Sequence, residues 1–174
     1  MKKIIPIILA LIIIFQASKT NDNYIIIPKT AIRLRVVAAS NDTYDQYMKK
    51  EVKKILEQEI NDTLINIKDI NTSRQIIKTN LENYQNKIST LFKENNYKES
   101  ININFGINHF PQKTYKGILY EEGNYESLVI TIGSGAGDNW WCVLFPPLCL
   151  LDAEENTTVE YKFKVVELLQ NIFN

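Results

Sequence analysis

Ile32-Arg33-Leu34-Arg35-Val36-Val37-Ala38 alternates apolar side chains with arginines over its first five residues, and the fold can be read outward from it. A side-chain period of two is that of a β-strand with one buried face. The apolar positions therefore belong to a core, and Arg33 and Arg35 share the opposite face of the sheet. Such a face is either solvated, paired with other elements, or in contact with a partner.

Two helices follow this strand in the sequence. Apolar residues at helical spacing predict the first over 43–60, opened by a capping box of Thr43 and Gln46. A second capping box, Thr72 with Gln75, predicts another helix that ends near Asn95. The predicted apolar stripes are Tyr44, Tyr47, Met48, Val52, Ile55, Leu56 and Ile60 in the first helix and Ile77, Leu81, Tyr84, Ile88 and Leu91 in the second.

The later part of the chain predicts more strands and a terminal helix. Alternation predicts strands over 101–107, 114–120 and 128–132, and Tyr24–Pro28 a short edge segment. The terminal helix begins at a third capping box of Thr157 and Glu160, with Val159, Phe163, Val166, Leu169 and Phe173 facing inward. We predict one α+β domain over residues 24–174, of order β-α-α-β-β-β-α, with a mainly antiparallel sheet and helices packed on one face.

The first 18 residues have the pattern of an export signal or a short membrane anchor. Lys2 and Lys3 precede an apolar run from Ile4 to Phe15, broken only by Pro6. This run is shorter than the roughly 20 residues that a relaxed helix needs to span a bilayer. We therefore expect cleavage near residues 17–20 and a protein that leaves the cytoplasm.

The stretch Asn139-Trp140-Trp141-Cys142-Val143-Leu144-Phe145-Pro146-Pro147-Leu148-Cys149 has an unusual composition. It holds both tryptophans and both cysteines of the chain. Because prolines disfavour helices and central strands, we predict an apolar loop that is either tucked under the core or kept for a partner. Adjacent tryptophans in extended backbone point to opposite sides. Outside the cytoplasm, Cys142 and Cys149 are expected to form a disulfide, with free thiols as the alternative.

Residues that suggest catalysis or cofactor binding are scarce. The single histidine, His109, could pair with Cys142 in an exported hydrolase, although a disulfide would remove the nucleophile. Two cysteines and one histidine are one ligand short of a structural zinc site. The run 133–137 lacks dinucleotide-fingerprint spacing, so its glycines predict a tightly bent or flexible loop. With 20 basic and 20 acidic residues there is no footprint for nucleic acid, and we expect neither a cofactor nor a small-molecule substrate.

Several motifs together cover roughly residues 25–152. They are Ala31–Val36, Ser40–Asp42 with Asp45–Gln46, Phe110–Gly117, Gly123–Leu128 through Ile132-Gly133, and Asn139–Cys149. This set resembles the stage II sporulation protein R family. Two features depart from the family pattern. Ala38-Ala39 replaces an expected alanine-asparagine pair, and the chain ends at Asn174 without the longer tail of some members, so retention by peptidoglycan is not expected.

The resemblance implies a developmental signal and not an enzyme. Family members are made in the forespore and exported into the space between the two sporulating compartments. There they trigger a membrane-embedded aspartic-type protease, stage II sporulation protein GA, which processes the precursor of sigma-E. The alternative is a module that binds the wall or a membrane surface through its tryptophans. The residues expected to contact the protease are Asn139, Trp140, Trp141, Phe145, Pro146, Pro147, Leu148, Arg33 and Arg35.

Overall fold

The computed structural model describes residues 25–115, 118–149 and 158–173. The predicted export signal at residues 1–18 therefore lies outside the described residues, and so does Thr157 of the third capping box. Within the described ranges, no helix combines the length and the apolar composition needed to cross a lipid bilayer. The side chains of Val159, Glu160, Phe163 and Phe173 also lie outside the description.

Seven strands and three helices make up the described chain. In chain order they are β1 Ile25–Ile26, β2 Ile32–Val37, α1 Thr43–Leu64, α2 Ile70–Glu94, β3 Ile101–Phe110, β4 Lys113–Tyr115, β5 Ile118–Tyr120, β6 Gly123–Ile132, β7 Asn139–Phe145 and α3 Thr158–Phe173.

The strands form two sheets. The main sheet has the order β3-β6-β2-β7, and a small sheet has the order β1-β5-β4. Three of the five strand pairings are antiparallel, so the prediction of an α+β fold with a mainly antiparallel sheet is confirmed. The central pairing is parallel, because β2 runs alongside β6. The region 114–120, predicted as one strand, is instead the hairpin of β4 and β5.

The helices α1 and α2 cover one face of the main sheet. Their buried residues share one core with alternate residues of β2, β6 and β7. Helix α3 packs mainly on a second, smaller core that contains Val143, Leu148 and Val165. Val143 points away from its neighbours Cys142 and Leu144, which belong to the main core. Strand β7 therefore contributes side chains to both cores.

The two predicted capping boxes that lie within the described residues are displaced in the structure. Helix α2 begins at Ile70, because the Asp69 carboxylate accepts the Thr72 backbone N–H at 2.7 Å. Helix α1 follows Asp42, and the Gln46 side chain donates to the Ser40 carbonyl at 2.8 Å. It continues to residue 64, four residues beyond the predicted end.

The helical stripes are close to those predicted, with three differences. Tyr44 and Tyr47 are 48% and 46% exposed, so they do not belong to the core. Phe92 is buried at the end of α2 and was missed. In α3, Val165 is fully buried and the predicted Val166 only partly, whereas the predicted Leu169 packs against the second core.

Candidate partner-binding face

Strand β2 presents its two arginines on the face of the main sheet that α1 and α2 leave uncovered. Ile32, Leu34 and Val36 point into the main core, and Arg33 and Arg35 alternate with them. The prediction that the arginines share the opposite face is therefore confirmed. We name this region the arginine face and define it by five side chains. They are Arg33 and Arg35 of β2, Phe110 of β3, Tyr125 of β6 and Trp141 of β7.

Arg35 and Trp141 are cross-strand partners on the arginine face. The register between β2 and β7 places them opposite each other, and both side chains are half-buried. The Arg35 guanidinium carbon lies 4.9 Å from the centre of the Phe110 ring, and its Nη1 donates to the His109 carbonyl at 3.4 Å. The Trp141 ring meets the same phenyl ring edge to face at 5.4 Å. One aromatic ring thus holds both side chains in place.

Arg33 lies deeper and is surrounded by aromatic rings. It is only 1% exposed. Its guanidinium carbon lies 3.4 Å from the ring centre of Tyr125, 5.3 Å from that of Phe110 and 5.8 Å from that of Tyr120. Its Nη2 donates to the Glu121 carbonyl at 3.5 Å. Burial lowers the pKa of Arg33, and the neighbouring tyrosines oppose this shift. The charge is therefore held by ring faces and a carbonyl oxygen.

Four N–H groups of the arginine face lack an acceptor. They are Nε and Nη1 of Arg33, Nε of Arg35 and Nε1 of Trp141, all of which are shielded from solvent. Neither arginine forms an ion pair with a carboxylate among the described residues. Buried polar groups in folded proteins nearly always have hydrogen-bond partners. The face is thus rich in donors that the described chain does not satisfy by itself.

The two tryptophans lie on opposite sides of β7, as the extended backbone predicts. Trp140 packs against the main core, with the Lys53 ammonium of α1 4.9 Å from its ring centre. Trp141 faces the other way, with Lys113 of β4 5.0 Å from its ring centre. Of the pair, Trp141 is therefore the member that belongs to the arginine face. Asn139 is exposed at the start of the strand.

The rest of the 139–149 stretch is buried, which corrects the prediction of an apolar contact loop. Residues 139–145 form edge strand β7, and both prolines come after it, where they interrupt no strand pairing. Phe145 and Leu148 are 1% and 0% exposed, and Pro146 and Pro147 are buried with them. These four residues therefore present no surface for a partner in this structure. The core is not complete without this stretch, because Phe145 belongs to the main core and Leu148 to the second one.

Cys142 and Cys149 are paired. They are buried, their Cα atoms are 5.4 Å apart, and their sulfur atoms lie within bonding distance of each other. The disulfide that was predicted for an exported chain is thus present in the structure. It ties the middle of β7 to the segment that follows the two prolines.

The cysteine–histidine pair considered for a hydrolase is not assembled. Cys142 is in a disulfide on edge strand β7, and His109 is on β3 at the opposite edge of the sheet. Strands are spaced by roughly 4.8 Å, so two intervening strands keep the residues well beyond hydrogen-bond reach. His109 instead lies 3.7 Å from the Glu122 carboxylate. Among the residues described, no three His, Cys, Asp or Glu side chains are grouped so that they could hold a metal ion.

The glycine-rich run forms a tight turn that sets the start of β7. Gly133 and Gly135 have φ values of 56° and 66°, in the left-handed region that glycine favours. Gly137 donates its N–H to the Ala38 carbonyl at 3.0 Å, and Ala136 donates to that of Ala39 at 3.1 Å. The predicted bend is confirmed. It brings β7 back beside β2 and so places Trp141 next to Arg35.

Sequence reasoning missed Phe110, Tyr125 and Lys113 as members or neighbours of the site. The sequence signal for Phe110 and Tyr125 was their position in the alternation of apolar and polar residues along β3 and β6. Phe110 is out of phase with the apolar row of Ile101, Ile103 and Phe105, and Tyr125 is out of phase with Leu128. An aromatic side chain in the polar phase of a strand belongs to the other face of the sheet.

Fold and face together define an α+β domain with a candidate protein-binding surface of Trp141 and Arg35, which are supported by the buried Arg33 and its aromatic neighbours. No solved structure matches the chain. A family model described as Stage II sporulation protein R matches residues 28–155.

The stage II sporulation protein R of Bacillus subtilis (strain 168) is 35% identical over 144 residues, which cover 83% of this chain. The chain spans 64% of the length of that relative. Because the family model matches well over half of the sequence, this chain belongs to the stage II sporulation protein R family.

Proposed function

We propose that this protein is an exported sporulation signal that activates a membrane-embedded aspartic-type protease, stage II sporulation protein GA. Activation would lead to processing of the sigma-E precursor. Family membership supports a role in sporulation. The apolar run near the N-terminus supports export from the forespore into the intermembrane space, with membrane anchoring if the signal is retained.

One observation carries the proposal of a protein contact: the half-exposed pair of Arg35 and Trp141 on a sheet face without α1 or α2. Tryptophan and arginine are among the residues most enriched at energetic hot spots of protein interfaces. The Phe110 ring fixes both side chains, so little conformational entropy is lost when a partner binds them. A rigid pair of this kind suits recognition of another protein.

In this proposal the protein acts as a ligand and not as a catalyst. Activation follows if the arginine face binds the active arrangement of the protease more tightly than the inactive one. A ligand can shift such an equilibrium only by its difference in affinity for the two states. Of the residues in 139–149 that were expected to contact the protease, the proposal keeps Trp141 and Asn139. Arg35 of the neighbouring strand β2 completes the proposed contact.

Co-purification of the chain with the candidate protease from detergent-solubilised membranes tests the proposal. We expect the wild-type chain to retain the protease and Trp141→Ala to retain at least about tenfold less, since hot-spot truncations cost 2 kcal/mol or more. The matched control is Trp140→Ala, which removes the same side chain from the same strand on the opposite face. It should retain the protease as long as circular dichroism shows a folded domain.

The outcomes separate readily. Equal capture by Trp141→Ala and wild type would show that the contact lies elsewhere. Absence of capture by the wild-type chain would refute the proposed partner. Processing of the sigma-E precursor in a reconstituted system should follow the same order among the variants as capture.

A further inference from the structure

We propose that the arginine face recognises an acidic side chain of its protein partner, whose carboxylate is accepted between Arg35 and Trp141. This inference rests on the proposed function, because it names the chemistry that the partner must present to the same face.

The first argument is the set of unsatisfied donors. Arg35 Nε and Trp141 Nε1 belong to side chains that lie opposite each other on the adjacent strands β2 and β7. Neither nitrogen has a hydrogen-bond acceptor. Beneath them, Arg33 is 1% exposed, and two of its nitrogens have no acceptor. A buried donor without an acceptor is destabilising, so such groups are few in native proteins. An incoming acceptor would relieve this deficit.

The second argument is charge. Arg33 and Arg35 have no carboxylate partner among the described residues, and the Lys113 ammonium stands near the Trp141 ring. Three positive groups therefore converge on one side of the sheet. The negative charge of Glu121 acts on Arg33 but forms no ion pair with it. A charge without an ion-pair partner in a poorly solvated site favours binding of an opposite charge.

Arg74, the third arginine of the chain, shows how a guanidinium in this protein binds a carboxylate that lies close to it. Arg74 of α2 holds Glu126 of β6 through two parallel hydrogen bonds, from Nε at 2.6 Å and from Nη2 at 2.7 Å. This forked arrangement matches the geometry of a carboxylate. Arg33 and Arg35 carry the same guanidinium group, but neither forms an ion pair with an acidic side chain in the part of the chain that the structure describes.

The surroundings favour an acidic side chain over a phosphate. The partly exposed Trp141 ring, backed by the buried Phe110 ring, supplies an apolar surface that suits the stem of glutamate. Phosphate sites typically use backbone N–H groups at the start of a helix, whereas this face is built from strands. Arg35 and Trp141 are each partly exposed, so a side chain of the partner can approach them from this side of the sheet.

Nitrogen-15 NMR of the indole groups gives a direct test. The chain has two tryptophans, so Trp140 serves as an internal reference for Trp141. The probe is a tripeptide of glycine, glutamate and glycine with blocked ends, and the controls are its glutamine analogue and inorganic phosphate. We expect the glutamate peptide to shift the Trp141 indole and Arg35 Nε–H resonances, with Trp140 unmoved. Arg35→Gln should weaken the response about tenfold, the usual effect of losing one charged hydrogen bond.

A Trp141 shift of equal size with the glutamine analogue or with phosphate would overturn the inference, and so would the absence of any shift. A second experiment uses capture of the protease by Arg35→Glu, with Lys54→Glu on the exposed side of α1 as a control for the same change of charge. We expect Arg35→Glu to lose capture and Lys54→Glu to keep it.

The two proposals fail in different ways. If wild type and Arg35→Glu capture the protease equally, carboxylate recognition is wrong and the proposed partner stands. If the wild-type chain captures nothing, the proposed partner is wrong, and the peptide titration still decides whether the face binds a carboxylate.

Discussion

Replacement of Gly137 by alanine is expected to loosen the turn that aligns β7 with β2. A Cβ atom at this position would lie 2.1 Å from the Ser40 carbonyl oxygen and 2.5 Å from its carbon. Both are backbone atoms, so no change of rotamer can relieve the overlap. The segment before β7 must therefore move away from the end of β2.

The cost can be estimated from the contacts that this movement breaks. The hydrogen bonds from Gly137 to Ala38 and from Ala136 to Ala39 would be lost. Each contributes about 1 kcal/mol. Residual overpacking adds roughly 1–3 kcal/mol. The free energy of unfolding should thus fall by about 3–5 kcal/mol, which for a chain of this size lowers Tm by roughly 6–20 °C.

Urea unfolding followed by circular dichroism measures this change. The matched control is Gly106→Ala in β3, where the new Cβ would meet only the Asn104 side-chain oxygen, at 3.7 Å. The control should unfold within about 1 kcal/mol of wild type. If Gly137→Ala were as stable as Gly106→Ala, the turn would not hold β7 in the way described, and the account of how Trp141 meets Arg35 would be wrong.

Three further predictions concern stability. Replacing Cys142 and Cys149 together by serine should lower the free energy of unfolding by roughly 2–3 kcal/mol in chemical denaturation, because the disulfide closes a short loop; an unchanged midpoint would contradict this. Hydrogen bonds from a serine and a tyrosine hydroxyl hold the pKa of Asp45 below its ordinary value. Its contribution to stability is therefore complete above the unfolded pKa of about 3.9 and is lost as the pH falls through the folded pKa. Asp45→Asn should flatten the stability profile in that acidic range, and a profile identical to that of wild type would refute this role. Arg74→Lys should cost about 1 kcal/mol, since lysine cannot reproduce the two parallel bonds to Glu126; a double-mutant cycle with coupling near zero would contradict it.

Features that depend on local periodicity were predictable from the sequence. The alternation in β2 gave both the buried row and the shared face of Arg33 and Arg35, and the helical stripes gave α1 and α2. The run of glycines gave the tight turn before β7. In each case the local structure follows from residues within a few positions of one another in the sequence.

Features that depend on distant neighbours were not predictable in the same way. The prolines after Phe145 argued against a strand, yet β7 ends before they begin. Arg33 was named among the residues expected to contact the protease, yet it is only 1% exposed, which is rare for arginine. What buries it is a set of rings from β3, β5 and β6, which meet only once the sheets form. The donors left without acceptors are likewise visible only in three dimensions.

The parallel pairing of β2 with β6 has a consequence for the order of folding. Strand β2 is synthesised early, but its two neighbours in the main sheet, β6 and β7, are the last two strands in the sequence. Contacts between residues so distant along the chain form slowly, because a long loop must close first. The nascent chain can build its two helices early but cannot pair β2 until β6 has been made, and it cannot complete the main sheet until residue 145 has been made. A chain that delays its tertiary structure in this way stays unfolded for longer during synthesis, which suits a protein proposed to be exported.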